Sequence, residues 1–323
     1  MSPLPDSAAY CGDADTALQE VADWFRARKN HEDMFRQALR TAVDEVLDGR
    51  RTGRYSIKKL HKTEKIYIGT KAEIVVQDVF TIQRGAPKKP DYLIRGHEVD
   101  CKFTIRNTWT IPREAVGKIC LLLQVNEEEE HFSAGLLRTM PHFLTNRDNQ
   151  DKKRQVSAAG KEHILWLAQE ASFPKTLLLG LPDMEIKSIF KDGSSGQERI
   201  NTLLERVQGI IIDSETLDTV AQQRDGNARV REGDGRARTV LREHGILVAG
   251  HWKTHTDILA KLAVPLPRMP KTGEFVSFRV VRAGAGHASR PSVTLDGEEW
   301  VLASDDDPRE PGPRLPETGK GSA

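Results

Sequence analysis

The chain has 323 residues, 38% of them hydrophobic and 29% charged, with 48 Lys and Arg against 47 Asp and Glu for a formal net charge of +1. That length holds two domains of ordinary size, each able to bury its own core. The balanced charge excludes a globally basic nucleic-acid coat and an acidic tail protein, so any polyanion has to be met by local patches.

Three cysteines, Cys11, Cys101 and Cys120, are odd in number, far apart and without CxxC spacing. They fit neither a disulfide framework nor a zinc ribbon, and a reducing cytoplasm is the simple reading. The N-terminus MSPLPDSAAY lacks a basic region followed by an apolar run, and the longest apolar stretch, ICLLLQV, is too short to span a bilayer. A cytoplasmic protein with no membrane segment is expected.

Residues 1–15 are expected to be a flexible N-terminus. From Thr16 to about Leu47, apolar residues (Leu18, Val21, Ala22, Phe25, then Phe35, Leu39, Val43, Val46) recur at helical spacing, which predicts two amphipathic helices covering a sheet. GTKAEIVVQDVF (69–80) continues the helical period, and then the pattern changes to strand-like runs at 91–94, 98–105, 119–125 and, less regularly, 134–140. Together these make a mixed α/β domain. The acid run Glu127 to Glu130 reads as a solvated loop. HILWLAQEA (163–171) reads as a short apolar helix, and the first domain is placed at 16–170.

In the second half come helices QERINTLLERV and SETLDTVAQQ, an Arg- and Gly-rich stretch, the apolar run GILVAGHW, and the strand-like EFVSFRVVRA and SVTLDGEEWVLA. Helices followed by a small β-ribbon suggest a winged helix-turn-helix over 171–303, of the CAP-like kind. The tail, 304–323, is rich in Pro, Gly and charge and is expected to be disordered.

Chemistry concentrates in KKPDYLIRGHEVDCKF (88–103). A hairpin with Arg95 and Gly96 as its loop pairs Ile94 with His97, Leu93 with Glu98, Tyr92 with Val99, and Asp91 with Asp100. Directly opposed residues share a face with Cβ atoms about 4.5–5.5 Å apart, where like charges repel, so something positive must sit between the two acids. Lys102 lies on the same face as Asp100, and Cys101 points to the other. Arginine is a poor first residue for a tight primed turn, and a longer loop would slide the pairing by one. A hard cation, Mg²⁺ above all, is the economical occupant, because it takes one or two carboxylates, keeps waters and accepts phosphate oxygens. Such a site suits phosphodiesters, with the lysine holding or helping to deprotonate the attacking water. The bland alternative is a surface strand in which Lys102 bridges two acids.

Pro90-Asp91, then Asp100-Cys101-Lys102, resembles the PD-(D/E)xK motif of restriction-type nucleases. DGRRTGRYSIKKLHKTEKIYIGTKAEI, VDCKF, IPREAVGKICLLL and VAQQ resemble the NaeI restriction endonuclease family along nearly the whole chain. The resemblance implies an N-terminal PD-(D/E)xK endonuclease core, a C-terminal DNA-binding domain, a homodimer, Mg²⁺ dependence and a second DNA site acting as effector, the type IIE pattern. It carries catalytic roles over to Glu73, Asp91, Asp100 and Lys102, with Glu73, Asp91 and Asp100 as metal ligands. Nothing in that catalytic pattern departs from the family. Without the resemblance, Glu73 reads as an ordinary helix-surface glutamate.

VLDGRR (46–51) resembles the KxDGxR motif of nucleotidyltransferases, but Val46 stands where the lysine nucleophile is required, which excludes adenylyl transfer there. A helix ending at Asp48-Gly49 suffices. Between Arg50 and Lys65 lie seven Lys or Arg residues against one acid. Arg51, Arg54, Lys59, Lys62 and Lys65 are the expected phosphate contacts, with a solvated charged face as the plain alternative. Between Arg224 and Arg242 lie six arginines with three acids. This is where a winged helix carries its recognition helix, so Arg229, Arg231, Arg236, Arg238 and Arg242 are candidate contacts, Arg236 and Arg238 foremost. His251 and His255 have helical metal spacing but no obvious third ligand, and the plain reading is preferred. The expected function is Mg²⁺-dependent, sequence-specific cleavage of double-stranded DNA leaving 5′-phosphates. The alternatives are a repair-type nuclease on the same core or a catalytically silent winged-helix transcription factor.

Overall fold

The apolar stripes near the N-terminus form helices that pack on one another as well as on a sheet. The computed structural model describes residues 15–84, 91–146 and 153–316. The expected flexible N-terminus (all but its last residue), Pro90 of the motif and the end of the expected disordered tail (317–323) lie outside the described residues. The chain divides into two compact units, one holding the residues up to Leu47 and Ser56–Lys175, the other Asp48–Tyr55 and the residues from Thr176 on. Residues 48–55, expected in the first domain, thus group with the second.

In the first unit, α1 (Thr16–Arg26) starts at Asp15, whose carboxylate accepts the Leu18 amide at 3.0 Å. After α2 (His31–Leu47) come Asp48, in a left-handed conformation, and the short α3 (Gly49–Thr52), both of which group with the second unit. The long α4 (Lys62–Phe80) begins where the Glu64 side chain reaches back to the His61 amide at 2.9 Å. Phe25, Phe35 and Phe80, one from each long helix, meet with ring centroids 4.5–5.3 Å apart. Deleting any one of these fully buried rings would cost about 3–5 kcal/mol.

Beneath the helices lie β1 (Gln83–Arg84), β2 (Tyr92–Ile94), β3 (His97–Thr104), β5 (Ile119–Asn126), β6 (His131–Arg138) and β8 (Leu165–Ser172) in the order β1-β2-β3-β5-β6-β8; β4 (Thr110–Ile111) and β7 (Arg154–Gln155) pair separately, and α5 (Ala158–Glu162) precedes β8. Only β3 and β5 run parallel, so the sheet is mixed. Strand β5 is buried on both faces: Ile119, Leu121, Leu123 and Val125 join the helix-side core, Cys120 and Leu122 a second cluster around Trp109. Two covered faces explain the unbroken apolar run ICLLLQV.

Two expectations fail in this unit. HILWLAQEA is not a helix but carries most of strand β8, with Leu165 and Leu167 on the helix-side core and Ile164 and Trp166 on the opposite cluster, a period of two. A short apolar run fits either period, and pairing with β6 decides it. Glu127 is not solvated: it is 6% exposed, accepts Ser56 Oγ at 3.1 Å and the Ile57 amide at 2.8 Å, and faces Arg40 at 3.8 Å. A buried carboxylate is tolerated because these donors replace its water.

The second unit holds α6 (Leu177–Gly180), α7 (Asp183–Ile189), α8 (Gly196–Arg206), α9 (Ser214–Ala221), α10 (Ala237–Arg242), β9 (Ile246–Ala249), α11 (Lys253–Lys261), β10 (Val276–Arg282), β11 (Ser292–Leu295) and β12 (Glu298–Leu302). Its antiparallel sheet runs β11-β12-β10-β9. Residues 49–52 pack on α9, where a Cβ at Gly49 would run into the Thr219 side chain; this packing accounts for the glycine of DGRR. The helix α11, not foreseen from the sequence, stands between β9 and β10. The tail is ordered over 304–316: Asp307 accepts the Ser304 amide at 2.8 Å and pairs with Arg290 and His287, the Gly312 amide donates to Arg242 O at 2.7 Å, and Leu315 packs on the apolar cluster under the sheet. Composition alone pointed to disorder, but here the charges find specific partners.

Candidate active site

The β2–β3 hairpin adopts the two-residue loop, with Arg95 and Gly96 at φ 53° and 86° and Tyr92 opposite Val99, so the pairing does not slide. Arg95 takes the left-handed conformation despite its Cβ. Strand β2 begins only at Tyr92, and Asp91, just ahead of the ladder, accepts the Cys101 amide on its Oδ2 at 2.7 Å. That bond turns one oxygen of Asp91 to the backbone beside Asp100.

Strand alternation then does what the spacing requires. Cys101 is buried in the helix-side core, while Asp100 and Lys102 lie on the other face as an ion pair, their side chains 16% and 23% exposed. Lys102 Nζ also donates to the Cys101 carbonyl at 2.9 Å. Glu73 comes from α4, and the buried Tyr92 ties that helix to the hairpin by donating its hydroxyl to the Glu73 carbonyl at 2.7 Å.

The electrostatics join the four residues. Burial, with the Asp91 and Asp100 carboxylates nearby, raises the Glu73 pKa to about 7, against the opposing pull of Lys102. Burial likewise raises that of Asp100, with Asp91 adding to it and Lys102 and Lys118 opposing it. Burial works against the Lys102 ammonium, but Asp100 and Asp91 more than offset it and hold it charged. Three acids therefore share one close lysine, and the cluster is short of positive charge. Arg84 and Lys118, which flank it, carried no role in the sequence reading; Lys118 precedes Ile119, the register partner of Val99, and so opens the neighbouring strand beside the site.

These residues fit a hard dication. Asp100 Oδ2 is buried, and Lys102 Nζ is its one partner among the described residues. Among the described residues no three His, Cys, Asp or Glu side chains form a metal cage. An octahedral ion that keeps several waters and takes one or two carboxylates needs no such cage.

The expected DNA contacts divide. Arg51 and Arg54 lie in the second unit and Lys59, Lys62 and Lys65 in the first. Arg51 is exposed and pairs with Asp48 at 2.5 Å; Lys62 and Lys65 sit in the first turn of α4. In the second unit Arg231 and Arg236 are exposed, Arg236 at the N-cap of α10. Arg229 is half-buried and donates to Gln223 Oε1 at 2.5 Å, and Arg242 faces Glu232 at 3.6 Å. Arg238 does not stand on an open face: its Nε donates to Val248 O at 2.9 Å and burial lowers its pKa. His255 is not a metal ligand, since Nδ1 accepts the Gly250 amide at 3.0 Å and Nε2 meets Pro316 O at 3.2 Å. Among the described residues no helix is long and apolar enough to cross a membrane.

The sequence matches the family described as "Restriction endonuclease NaeI" over residues 19–311. A relative, the "Type II restriction enzyme NaeI" of Lentzea aerocolonigenes, is 37% identical over 286 residues, which cover 86% of this chain and 87% of the relative. With that match spanning both the acid-lysine cluster and the arginine-rich second unit, the chain belongs to the NaeI restriction endonuclease family.

Proposed function

We propose that the chain is a Mg²⁺-dependent type II restriction endonuclease that cuts double-stranded DNA at a specific site, with Glu73, Asp91, Asp100 and Lys102 as its catalytic set. The observation that carries this reading is the charge-deficient cluster at the hairpin, three acids around one close lysine, with a buried Asp100 oxygen whose one partner among the described residues is Lys102. Mg²⁺ held by Asp91, Asp100 and Glu73 supplies charge neutralisation at the scissile phosphate and lowers the cost of deprotonating water. Lys102, kept charged by Asp100, presents its Nζ protons to the attacking water and to charge developing on the phosphate. In-line attack leaves a 5′-phosphate and a 3′-hydroxyl.

The first unit is the PD-(D/E)xK core in this reading. The second unit, with successive helices α8, α9 and α10 running into an antiparallel sheet, is a winged-helix module for a second, effector copy of the site. A palindromic duplex offers two equivalent strands, so two copies of the chain acting as a homodimer complete the cut. A restriction role belongs in the cytoplasm, where the DNA is.

Digestion of a mapped plasmid with Mg²⁺, followed by sequencing of the ends, tests the reading. Asp100→Ala and Lys102→Ala should each lower cleavage on the order of a thousandfold or more while specific binding in a gel shift survives. Undiminished cutting by either variant removes the site assignment.

A further inference from the structure

The acid-lysine cluster has a second cation at its edge, Lys118, to which the nuclease reading assigns no task. Strand β5 runs parallel to β3, with Cys120 beside Asp100 and Leu122 beside Lys102. The ladder with β6 continues one residue ahead of β5, since the Thr139 amide donates to the Lys118 carbonyl at 3.0 Å. Strand alternation therefore still holds at Lys118. Ile119 belongs to the helix-side core and Cys120 to the opposite cluster, so Lys118, two residues before Cys120, stands on the face that carries Asp100 and Lys102. Its backbone is pinned from the β6 side as well, because the hydroxyl of the fully buried Thr139 lies 3.0 Å from Lys118 O and the Gly117 amide donates to Thr139 O at 2.9 Å. The side chain is half-buried, and among the described residues no hydrogen bond or ion pair occupies its Nζ. A lysine rooted in a fixed ladder beside three carboxylates, yet in ion-pair contact with none of them, is placed to meet a ligand.

Lys102 and Lys118 flank Asp100 from opposite ends. Lys118 is close enough to oppose the rise in the Asp100 pKa, with Lys102 the stronger of the two. Lys118 lies four residues before Leu122, the register partner of Lys102, which sets the two lysine backbones about 14 Å apart on neighbouring strands. Two extended lysine side chains with a phosphate between them fill such a gap. In an in-line displacement the attacking and leaving oxygens lie on opposite sides of the phosphorus. With Lys102 at the attacking water, the leaving oxygen falls on the side of Lys118.

We propose that Lys118 is a further catalytic residue, the general acid for the leaving 3′-oxygen of the cut strand, a role that rests on the nuclease reading of this site. As the water oxygen bonds to phosphorus, the bond from phosphorus to O3′ breaks and leaves its electron pair on O3′. Lys118 Nζ gives O3′ a proton and recovers one from solvent, and the attacking water releases one to solvent, so the sum is hydrolysis. General acid catalysis of this kind contributes about 10²–10⁴-fold.

The test compares single-turnover cleavage, by the intact protein, of two site-bearing duplexes, one natural and one with sulfur in place of the scissile O3′. A sulfur leaving group departs without a proton, since a thiol ionises at about pH 8.5. Lys118→Met should cut the natural duplex about a hundredfold more slowly than wild type, and the sulfur duplex less than about threefold more slowly. Each ratio is taken on one substrate, so an effect of sulfur itself cancels. Lys118→Arg should stay slow on the natural duplex, because a guanidinium keeps its proton. Specific binding in Ca²⁺, read by gel shift, and the unfolding midpoint should stay at their wild-type values. An equal deficit on both duplexes, or a loss of affinity that matches the loss of rate, overturns the proposal and leaves Lys118 as a cation that balances the acids or anchors a phosphate. Should Lys118→Met fail to fold, Lys118→Arg, which keeps the charge, decides by the same two ratios. A wild-type protein that cuts neither duplex removes the nuclease reading and the proposal together, whereas unimpaired cutting by Lys118→Met removes the proposal alone.

Discussion

At the scale of single residues, Glu73 sets the pH behaviour of the cluster. The Glu73 pKa of about 7 stands above its ordinary 4.5, so between those values the folded, metal-free protein keeps a proton that the unfolded chain has released. That stabilising effect is full below the ordinary value and fades as pH rises through about 7. A bound dication must expel the proton, so Mg²⁺ affinity should climb with pH to about 7 and then level off. Calorimetry at about pH 6, in buffers of differing ionisation enthalpy, should find release approaching one proton, much reduced in Glu73→Gln and small at about pH 8.5. Affinity independent of pH would separate Glu73 from the metal. Lys102 changes nothing here, because its carboxylate neighbours hold it charged across the whole range.

Among the elements, the β2–β3 hairpin places the site and α11 anchors the tail. Arg95 sits in the left-handed conformation that asparagine and glycine adopt more readily, and it is exposed. Arg95→Asn should therefore stabilise the protein by roughly 0.5–1 kcal/mol and leave cleavage unchanged; a lower unfolding midpoint would mean that the arginine side chain holds the turn. On α11, burial and the nearby Arg238 lower the pKa of His255 to about 4, and the side chain is only 1% exposed. A histidine whose folded pKa is depressed contributes stability that is present above its ordinary 6.5 and lost as pH falls toward 4. The loss should reach up to about 3 kcal/mol and be largely absent in His255→Gln, as read by denaturant unfolding across that window. Equal pH profiles would show that the ring is not held neutral by its burial and by the Gly250 amide that Nδ1 accepts.

For the whole molecule, the question is why a nuclease of this family carries a second unit. If that unit binds an effector copy of the site, DNA there favours the cleavage-competent state, and the coupling is reciprocal between the two binding sites. Two-site plasmids should then be cut faster than one-site plasmids, and an added site-bearing oligonucleotide should speed the one-site substrate. Among the candidate arginines between 229 and 242, Arg231 and Arg236 are the exposed ones. Arg236→Ala should slow two-site cutting although it lies outside the catalytic unit, and a phosphate-contacting role would lower the salt slope by about 1. Equal wild-type rates on every substrate would leave the unit as a clamp or a dimerisation element.

The geometry of the Asp100–Lys102 strand was legible in the sequence because it is local. The shared face of Asp100 and Lys102 follows from the period of two, which does not depend on distant partners, whereas the length of the turn stayed open until the pairing of Tyr92 with Val99 decided it. The long helices were legible for the same reason, since their stripes repeat over several turns. Tertiary structure decided what short runs could not. Residues 165–172 became a strand because β6 offered a ladder, Glu127 went inside because Ser56 and Ile57 brought donors to it, and residues 304–316 are held by partners such as Arg242, Arg279 and Arg290. Arg238 shows the limit most plainly: its place in an arginine-rich stretch suggested an open DNA-reading face, but the packing of α10 against β9 brings its guanidinium to the Val248 carbonyl. Composition counts charges, and only the fold determines which of them keep their water.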